Sequence, residues 1–310
     1  MEIKNIDKMI AQLDAEINST QKGLELTESL ERLKNIAEIY RGEDAIVSFE
    51  EIAQKIRNEK EEFKILSGWS GIDDILKGFR LQQLVVVSAL TKSGKTSWLM
   101  DLTTRIMGTN PLWFPFEESA EELVRKFVER KEEPPRAYTP EKMIGGNKHM
   151  TMMEWVEFKI VESIAKYNTK VVFIDQLDFI VVMGGDNHSL RVGQTMRDLK
   201  ALAKKWNVCI FIICHLSKAR MDTQPTLEDL KGSSSIGQEA DTVILLWREM
   251  RRVNGQVEIT DNVNISIQAN RRTGKTGNVK MVYRNGKFLE IDWKSEEEEN
   301  KQADKDFENF

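Results

Sequence analysis

Cysteine is nearly missing from this chain: the 310 residues contain two, Cys209 and Cys214. Both fall in the apolar run NVCIFIIC, where a thiol packs as a small hydrophobe. That excludes a disulfide framework and a zinc-ligand cysteine pattern, and it fits a reducing, cytoplasmic setting. Long hydrophobic runs are missing too. No stretch approaches the roughly 18 apolar residues of a membrane span, and the charged N-terminus does not read as a signal peptide. Nor does one sign of charge dominate. The formal net charge is −5, and the final segment from Ser295 to Phe310 holds seven acids against two lysines, which is −5 by itself. The remainder is near neutral, so composition neither demands nor excludes a nucleic-acid partner, which needs a local basic stripe rather than a basic total.

What is present divides the chain into three parts. Residues 1–62 lack proline and place Ile6, Ile10, Leu13 and Ile17 at helical spacing, so they read as short amphipathic helices, a helical N-terminal or linker segment. A capping box at SFEE, with Ser48 and Glu51 satisfying each other's amides, starts one such helix. This segment is too thin for a core of its own and either packs on the following domain or docks on a neighbouring subunit. Residues 63–293 alternate short β-rich runs (QLVVVSA, PLWFPF, KVVFID, VCIFIIC, TVILLW, VNISIQA) with helical patterns at 97–107, 152–166 and 189–206. Continuous apolar runs suit strands buried on both faces, and alternation with helices predicts an α/β fold with a mainly parallel sheet covered by helices on both faces. In NVKMVYRNGKFLEIDW an Asn-Gly pair between apolar runs predicts a C-terminal β-hairpin. Residues 294–310 form an acidic tail expected to be disordered.

The chemistry starts at ALTKSGKT, which follows an expected strand and precedes an expected helix. That context suits a phosphate-binding loop. Residues Ala89, Leu90, Thr91, Lys92, Ser93, Gly94, Lys95, Thr96 and Ser97 form the candidate cradle. Its backbone amides point at phosphate, Lys95 neutralises the β/γ oxygens of ATP, and the Thr96 hydroxyl ligates Mg²⁺. Ala89 stands where the usual pattern has glycine, but at a strand exit a small residue with ordinary dihedrals suffices. Asp175 closes the buried run KVVFID and is the expected second holder of Mg²⁺. Glu117, just past PLWFPF, is the expected base that orients the attacking water, while the adjacent Glu118 reads as part of a helix N-terminal turn. His215 ends another strand, where a donor can sense the γ-phosphate.

Together SGWSGIDDILKGF, ALTKSGKT, FEES, VVFIDQLDF, ICHLSK, DLKGSSSIGQEADTVILLWRE and NRRTGKTG resemble the RecA-like motor domain of DnaB-like replicative ring helicases, superfamily 4. The resemblance covers roughly residues 64–292. That family tolerates alanine at the first loop position, and His215 is similar to its phage and mitochondrial branch. The resemblance implies a P-loop NTPase core whose Arg272 is the arginine finger, reaching into the site of an adjacent subunit; Arg271 serves if the register slips by one. Asn270 stands where the family often has a basic residue. The resemblance further implies a homo-oligomer, a hexamer, that hydrolyses ATP and grips single-stranded DNA. The polar stretch between His215 and the next strand supplies Lys218, Arg220, Lys231, Gly232 and Ser233 for backbone contacts, with Ile236 as its first apolar anchor. Gly184, Gly185, His188 and Arg191 form a second candidate, and Gln238, at the start of the helix or turn after the loop, would relay phosphate state to it. The tail ending in Phe310 resembles those that dock on replication partners such as a polymerase, primase or loader. Two other readings stay open: a RecA/RadA-type recombination or repair ATPase, and a nucleotide-switched helicase accessory factor.

Overall fold

In a computed structural model, the structure describes residues 11, 31–35, 47–58, 63–90, 93–130, 133–143, 150–181, 188–216, 223–230, 233–253 and 256–291. Its centre is an eight-stranded sheet. Strands β3 (Leu84–Ala89), β4 (Leu112–Pro115), β5 (Val171–Asp175), β6 (Cys209–His215) and β7 (Thr242–Val253) are followed by β8 (Gln256–Asn270), β9 (Gly277–Arg284) and β10 (Lys287–Glu290). A two-residue pair, β1 (Lys64–Ile65) and β2 (Phe79–Arg80), precedes them. Across the large sheet the order is β10-β9-β8-β7-β3-β6-β5-β4. The five strands from β3 to β7 are mutually parallel, and the three from β8 to β10 are antiparallel.

Every residue of β3 is buried, because both faces of the sheet are covered. Side chains alternate across the pleat, so Leu84 and Val86 face one apolar cluster while Val85 and Val87 face the other. The first cluster is completed by α5 (Met152–Tyr167) and α6 (His188–Lys205), through Val156, Ile160, Val192, Met196 and Leu199. The second is completed by α2 (Ser70–Leu76), α3 (Lys95–Arg105) and α4 (Ala120–Glu129), through Ile72, Trp98, Leu99, Leu123 and Phe127. Helix α5 starts on a Thr151–Glu154 capping box and α4 on a Ser119–Glu122 box.

The motif SGWSGIDDILKGF folds as a clasp over the C-terminal hairpin. The Trp69 indole donates to the Phe288 carbonyl at 2.8 Å and stacks between Trp98 and the Arg105 guanidinium. The Glu290 carboxylate accepts from Ser70 N and Gly71 N, two amides at the start of α2. From inside the fold, Asp101 on α3 accepts from Phe288 N at 2.6 Å and from Arg105 Nε at 3.1 Å. The hairpin turn itself needs Asn285 and Gly286, both at positive φ (51° and 84°), as a two-residue primed turn demands.

The strand-by-strand expectation needs three corrections. VNISIQA lies in β8, which runs antiparallel to β7 rather than in the parallel set. Strands β7 and β8 are also far longer than their apolar runs, because the polar stretch beyond Leu246 continues as a two-stranded ribbon past the last residue paired to β3. Backbone pairing and side-chain bonds such as Arg248 to the Thr260 carbonyl hold that ribbon, so no apolar alternation announces it. The Asn254-Gly255 pair is the hairpin signal that announces it in the sequence. Finally, the loop after β6 is anchored before Ile236: a Thr226–Asp229 capping box forms a short 3-10 turn, and Leu230 is buried in the core and forms an antiparallel backbone bridge with Leu216.

The N-terminal segment divides. Leu33 is buried in the cluster beside α5, and Arg32 Nε donates to the Ala165 carbonyl at 3.1 Å, so this stretch packs on its own chain. Helix α1 (Phe49–Asn58) begins on the expected Ser48–Glu51 box but buries no residue. Ile6, Ile10, Leu13, Ile17 and the acidic tail lie outside the described residues.

Candidate active site

The carboxyl ends of the parallel strands converge on one cavity of about 470 Å³, lined in part by Gly94, Lys95, Thr96, Glu117, Asp175 and His215. Strand register explains this. Ala89 pairs with His215 across β3 and β6, and Pro115 pairs with Asp175 across β4 and β5, so the residues just past each strand share one edge of the sheet. Gly94 ends the loop as the residue before α3, at φ 88°, a conformation that a side chain disfavours. Helix α3 therefore starts at Lys95, two residues before the expected 97, and its free amides face the cavity. Ser93 and Ser97 flank that start. Thr91 and Lys92 lie outside the described residues.

Lys95 is 8% exposed, and its Nζ donates to the Ala89 carbonyl at 3.3 Å. Burial pulls its pKa below the ordinary lysine value, and the charges of Asp175 and Glu117 oppose that shift. The Thr96 hydroxyl donates to Asp175 Oδ2 at 2.7 Å. Asp175 is 2% exposed, and burial is the main cause that pushes its pKa up to about 6. The Thr96 hydrogen bond opposes that rise, Glu117 and Glu118 add to it, and Lys95 lowers it. The other oxygen, Asp175 Oδ1, is buried with no hydrogen-bond partner among the described residues. An orphaned, buried carboxylate oxygen beside a threonine hydroxyl is the donor set a hard divalent cation takes, so these residues fit Mg²⁺.

Glu117 is held against that site by its backbone: Phe116 N and Glu117 N both donate to the Asp175 carbonyl, at 2.8 and 3.1 Å. Glu118 departs from expectation. Ser119 is the N-cap of α4 and the acids of its first turn are Glu121 and Glu122, so Glu118 stands before the helix. Its carboxylate lines the cavity and forms an ion pair with Lys126, while Glu118 Oε1 is buried without a partner among the described residues.

Three cavity residues are not among the site candidates read from the sequence: Lys126, Arg248 and Tyr283. The Arg248 guanidinium sits 5.2 Å from the centre of the Tyr283 ring, and the Tyr283 hydroxyl lies 3.3 Å from Ser97 Oγ. Arg248 stands near the end of the stretch DLKGSSSIGQEADTVILLWRE and Tyr283 in the hairpin run NVKMVYRNGKFLEIDW, but nothing local in either directs its side chain to the phosphate loop. A second cavity of about 630 Å³ adjoins, sharing Ser97, Lys126 and Tyr283 and extending to Arg130 and Asn285.

Arg272 does not join this cavity. Asn270 pairs with Thr242, the first residue of β7, so the turn that carries Arg271 and Arg272 sits at the amino edge of the parallel strands, opposite the cavity. There Arg272 donates to the Leu76 carbonyl at the end of α2, and the Arg271 amide donates to the Asp241 carbonyl. Of the candidate DNA contacts, Lys218, Arg220, Lys231 and Gly232 lie outside the described residues, as do Gly184 and Gly185. Ser233 opens α7 (Ser233–Glu239), and His188 opens α6, whose first turn carries a half-buried Arg191. The two helices start side by side, with Ser235 Oγ 3.5 Å from the Ser189 carbonyl. Gln238 sits in the last turn of α7 rather than at its start, because the helix begins at Ser233.

A family model described as the DnaB-like helicase C-terminal domain matches residues 136–290, half of the chain. The replicative DNA helicase DnaB of Haemophilus influenzae is 24% identical over 287 residues, covering 80% of this chain and 59% of its own length. A probable replicative DNA helicase of Trieres chinensis is 24% identical over 255 residues, covering 70% and 54%. The chain thus spans little more than half the length of these curated relatives. Among solved structures, an isolated ATPase domain superposes with a TM-score of 0.64 at 17% identity, covering 80% of this chain and all of that one. A DnaB-like replicative helicase, described with its interactions with primase, gives 0.65 at 18% identity, covering 94% and 77%. The mainly parallel sheet flanked by helices is the fold these structures share with the chain. The chain belongs to the DnaB-like helicase C-terminal domain family.

Proposed function

We propose that the chain is an ATP-hydrolysing motor that translocates on single-stranded DNA and unwinds duplex during DNA replication. The observation that carries this reading is the convergence of Lys95, Thr96, Glu117, Asp175 and His215 in one cavity, with a buried carboxylate oxygen left unpartnered among the described residues. ATP would seat its phosphates against the amides at the start of α3, with Lys95 on the β/γ oxygens. Mg²⁺, held by Thr96 and Asp175, would neutralise charge on those oxygens. Glu117, beside Asp175 at the cavity, is positioned to orient the attacking water, and His215 to contact the terminal phosphate. The flat face of Tyr283, with Arg248 against it, offers a stacking surface at the cavity rim for the base.

The placement of Arg272 supports a homo-oligomer, in our reading a hexameric ring. From Thr242 to Leu246 strand β7 spans roughly 13 Å at about 3.3 Å per residue, so an arginine at the amino edge faces away from its own cavity. In a head-to-tail assembly that edge meets the cavity of the next copy, where a guanidinium stabilises the transferred phosphoryl group. Single-stranded DNA would pass the segments around residues 184–191 and 218–233. Residues 1–62 would act as a linker, residues 63–293 as the motor, and residues 294–310 as an acidic tail that docks on a replication partner such as a polymerase, primase or loader. Among the described residues no helix is long and apolar enough to cross a membrane, and a cytoplasmic place of action suits the reading.

The test is steady-state ATP hydrolysis with and without a single-stranded oligonucleotide, together with unwinding of a forked duplex. DNA-stimulated turnover that disappears in Glu117→Gln while nucleotide binding persists is expected. Turnover that Glu117→Gln leaves intact would reject the assignment.

A further inference from the structure

Among the described residues the cavity's charges balance: three cationic side chains, Lys95, Lys126 and Arg248, face three carboxylates, Glu117, Glu118 and Asp175. A polyphosphate entering such a pocket gains little from net charge, so what matters is which ion pairs it can replace. Arg248 is fixed by two hydrogen bonds to the Thr260 carbonyl and by Asp261. Lys95 is buried against the Ala89 carbonyl. The Glu118–Lys126 pair is different. Its lysine side chain is 43% exposed and its glutamate 15%, so the carboxylate is anchored and the ammonium is the partner that can swing. Lys126 stands near the end of α4 on a flexible stem, and it also lines the adjoining cavity, so it has room to move within the site. Glu118 holds it with one oxygen while the other, Oε1, is buried and unpartnered among the described residues.

Resting on the proposed function, we infer that Glu118 is a built-in stand-in for the terminal phosphate: it holds Lys126 while the pocket is empty and yields it to the γ-phosphate of a bound nucleoside triphosphate. A nucleoside diphosphate lacks the oxygens to compete for that lysine, so the exchange makes Lys126 a specificity-determining residue for triphosphate over diphosphate. No covalent bond changes: one charge-assisted hydrogen bond replaces another. Glu118 acts through Lys126 and is a positioning residue.

The test is titration of the full-length chain with ADP and with a non-hydrolysable ATP analogue, in the presence of Mg²⁺, for the wild type, Lys126→Gln, Lys126→Arg, Glu118→Gln and the double variant. A charge-assisted hydrogen bond corresponds to about a tenfold change in affinity. Lys126→Gln is expected to weaken the analogue about tenfold and ADP less than about twofold, with Lys126→Arg restoring most of the loss. Glu118→Gln is expected to tighten the analogue severalfold more than ADP, and the double variant to match Lys126→Gln, since without the lysine the carboxylate has nothing to withhold. Equal shifts for both nucleotides, or a Glu118→Gln change that survives in the double variant, would overturn the exchange while leaving the nucleotide site standing. A wild-type chain that binds neither nucleotide would overturn the site and the exchange together.

Discussion

Asp175 should cost the empty protein stability at neutral pH, and Asp175→Asn should recover it. The carboxyl is 2% exposed and its pKa is raised from 3.8 to about 6, chiefly by burial. For an acid raised in the folded state, the relative stability is fully present below the unfolded value and is lost as pH rises through the folded one. At about 1.36 kcal/mol per pKa unit, the ionised folded form carries a penalty of about 3 kcal/mol near pH 8. Near pH 5 the same linkage gives only about 1.6 kcal/mol. Asparagine keeps the acceptor for Thr96 and never ionises, and whatever its amide loses in hydrogen bonding is the same at both pH values. The substitution should therefore stabilise the nucleotide-free chain more near pH 8 than near pH 5, by about 1.4 kcal/mol, or roughly 3 to 6 °C in Tm for a domain of this size. Thermal unfolding in metal-free buffer at the two pH values measures it. A Tm gain that is identical at both, or larger at the acidic value, would refute the assignment of the penalty to this carboxylate. The same variant should lose hydrolysis, making stability and activity move in opposite directions at one residue.

Asp101→Ala should destabilise the chain by about 3 kcal/mol, because it strips the buried Phe288 amide and Arg105 of a shared acceptor. Nucleotide affinity at low temperature should stay within about twofold, so calorimetry and titration together separate this clasp from the site. Tyr283→Ala should weaken nucleotide binding about fivefold and Tyr283→Phe much less, since the ring and its contact with Arg248 survive the second change. If both fall equally, the hydroxyl bond to Ser97 is the important contact instead. Arg272→Ala should lower turnover by about a thousandfold or more, and so should Lys95→Ala. Mixing the two chains should restore part of it, because a wild-type cavity then meets a wild-type arginine; a mixture as inactive as its parts would count against completion between copies.

Several features are legible in the sequence for local reasons. The apolar runs form β3 to β8, since burial of short hydrophobic stretches needs no knowledge of neighbours. The Ser48–Glu51 box and the Asn285-Gly286 turn form as written, because capping and primed-turn geometry are decided within four residues. The resemblance carried by seven separate motifs leads to the family and to Lys95, Thr96, Glu117, Asp175 and His215, which the fold gathers. Glu118 is not legible in the same way, because its place relative to the N-cap depends on Ser119 starting the helix one residue later. The loop after β6 looks unanchored in the sequence because Leu227 and Leu230 sit singly among polar residues, and only the packed core shows what they bury against.

By itself the sequence determined where strands, turns and the phosphate loop form, since backbone preference and hydrophobic period act over a few residues. Only the tertiary structure decided that Arg248 and Tyr283 come to the cavity and that Arg272 goes to the far edge. The physical reason is register: strand order and pairing fix which side chains, a hundred or more residues apart, share an edge, and no local preference encodes that pairing.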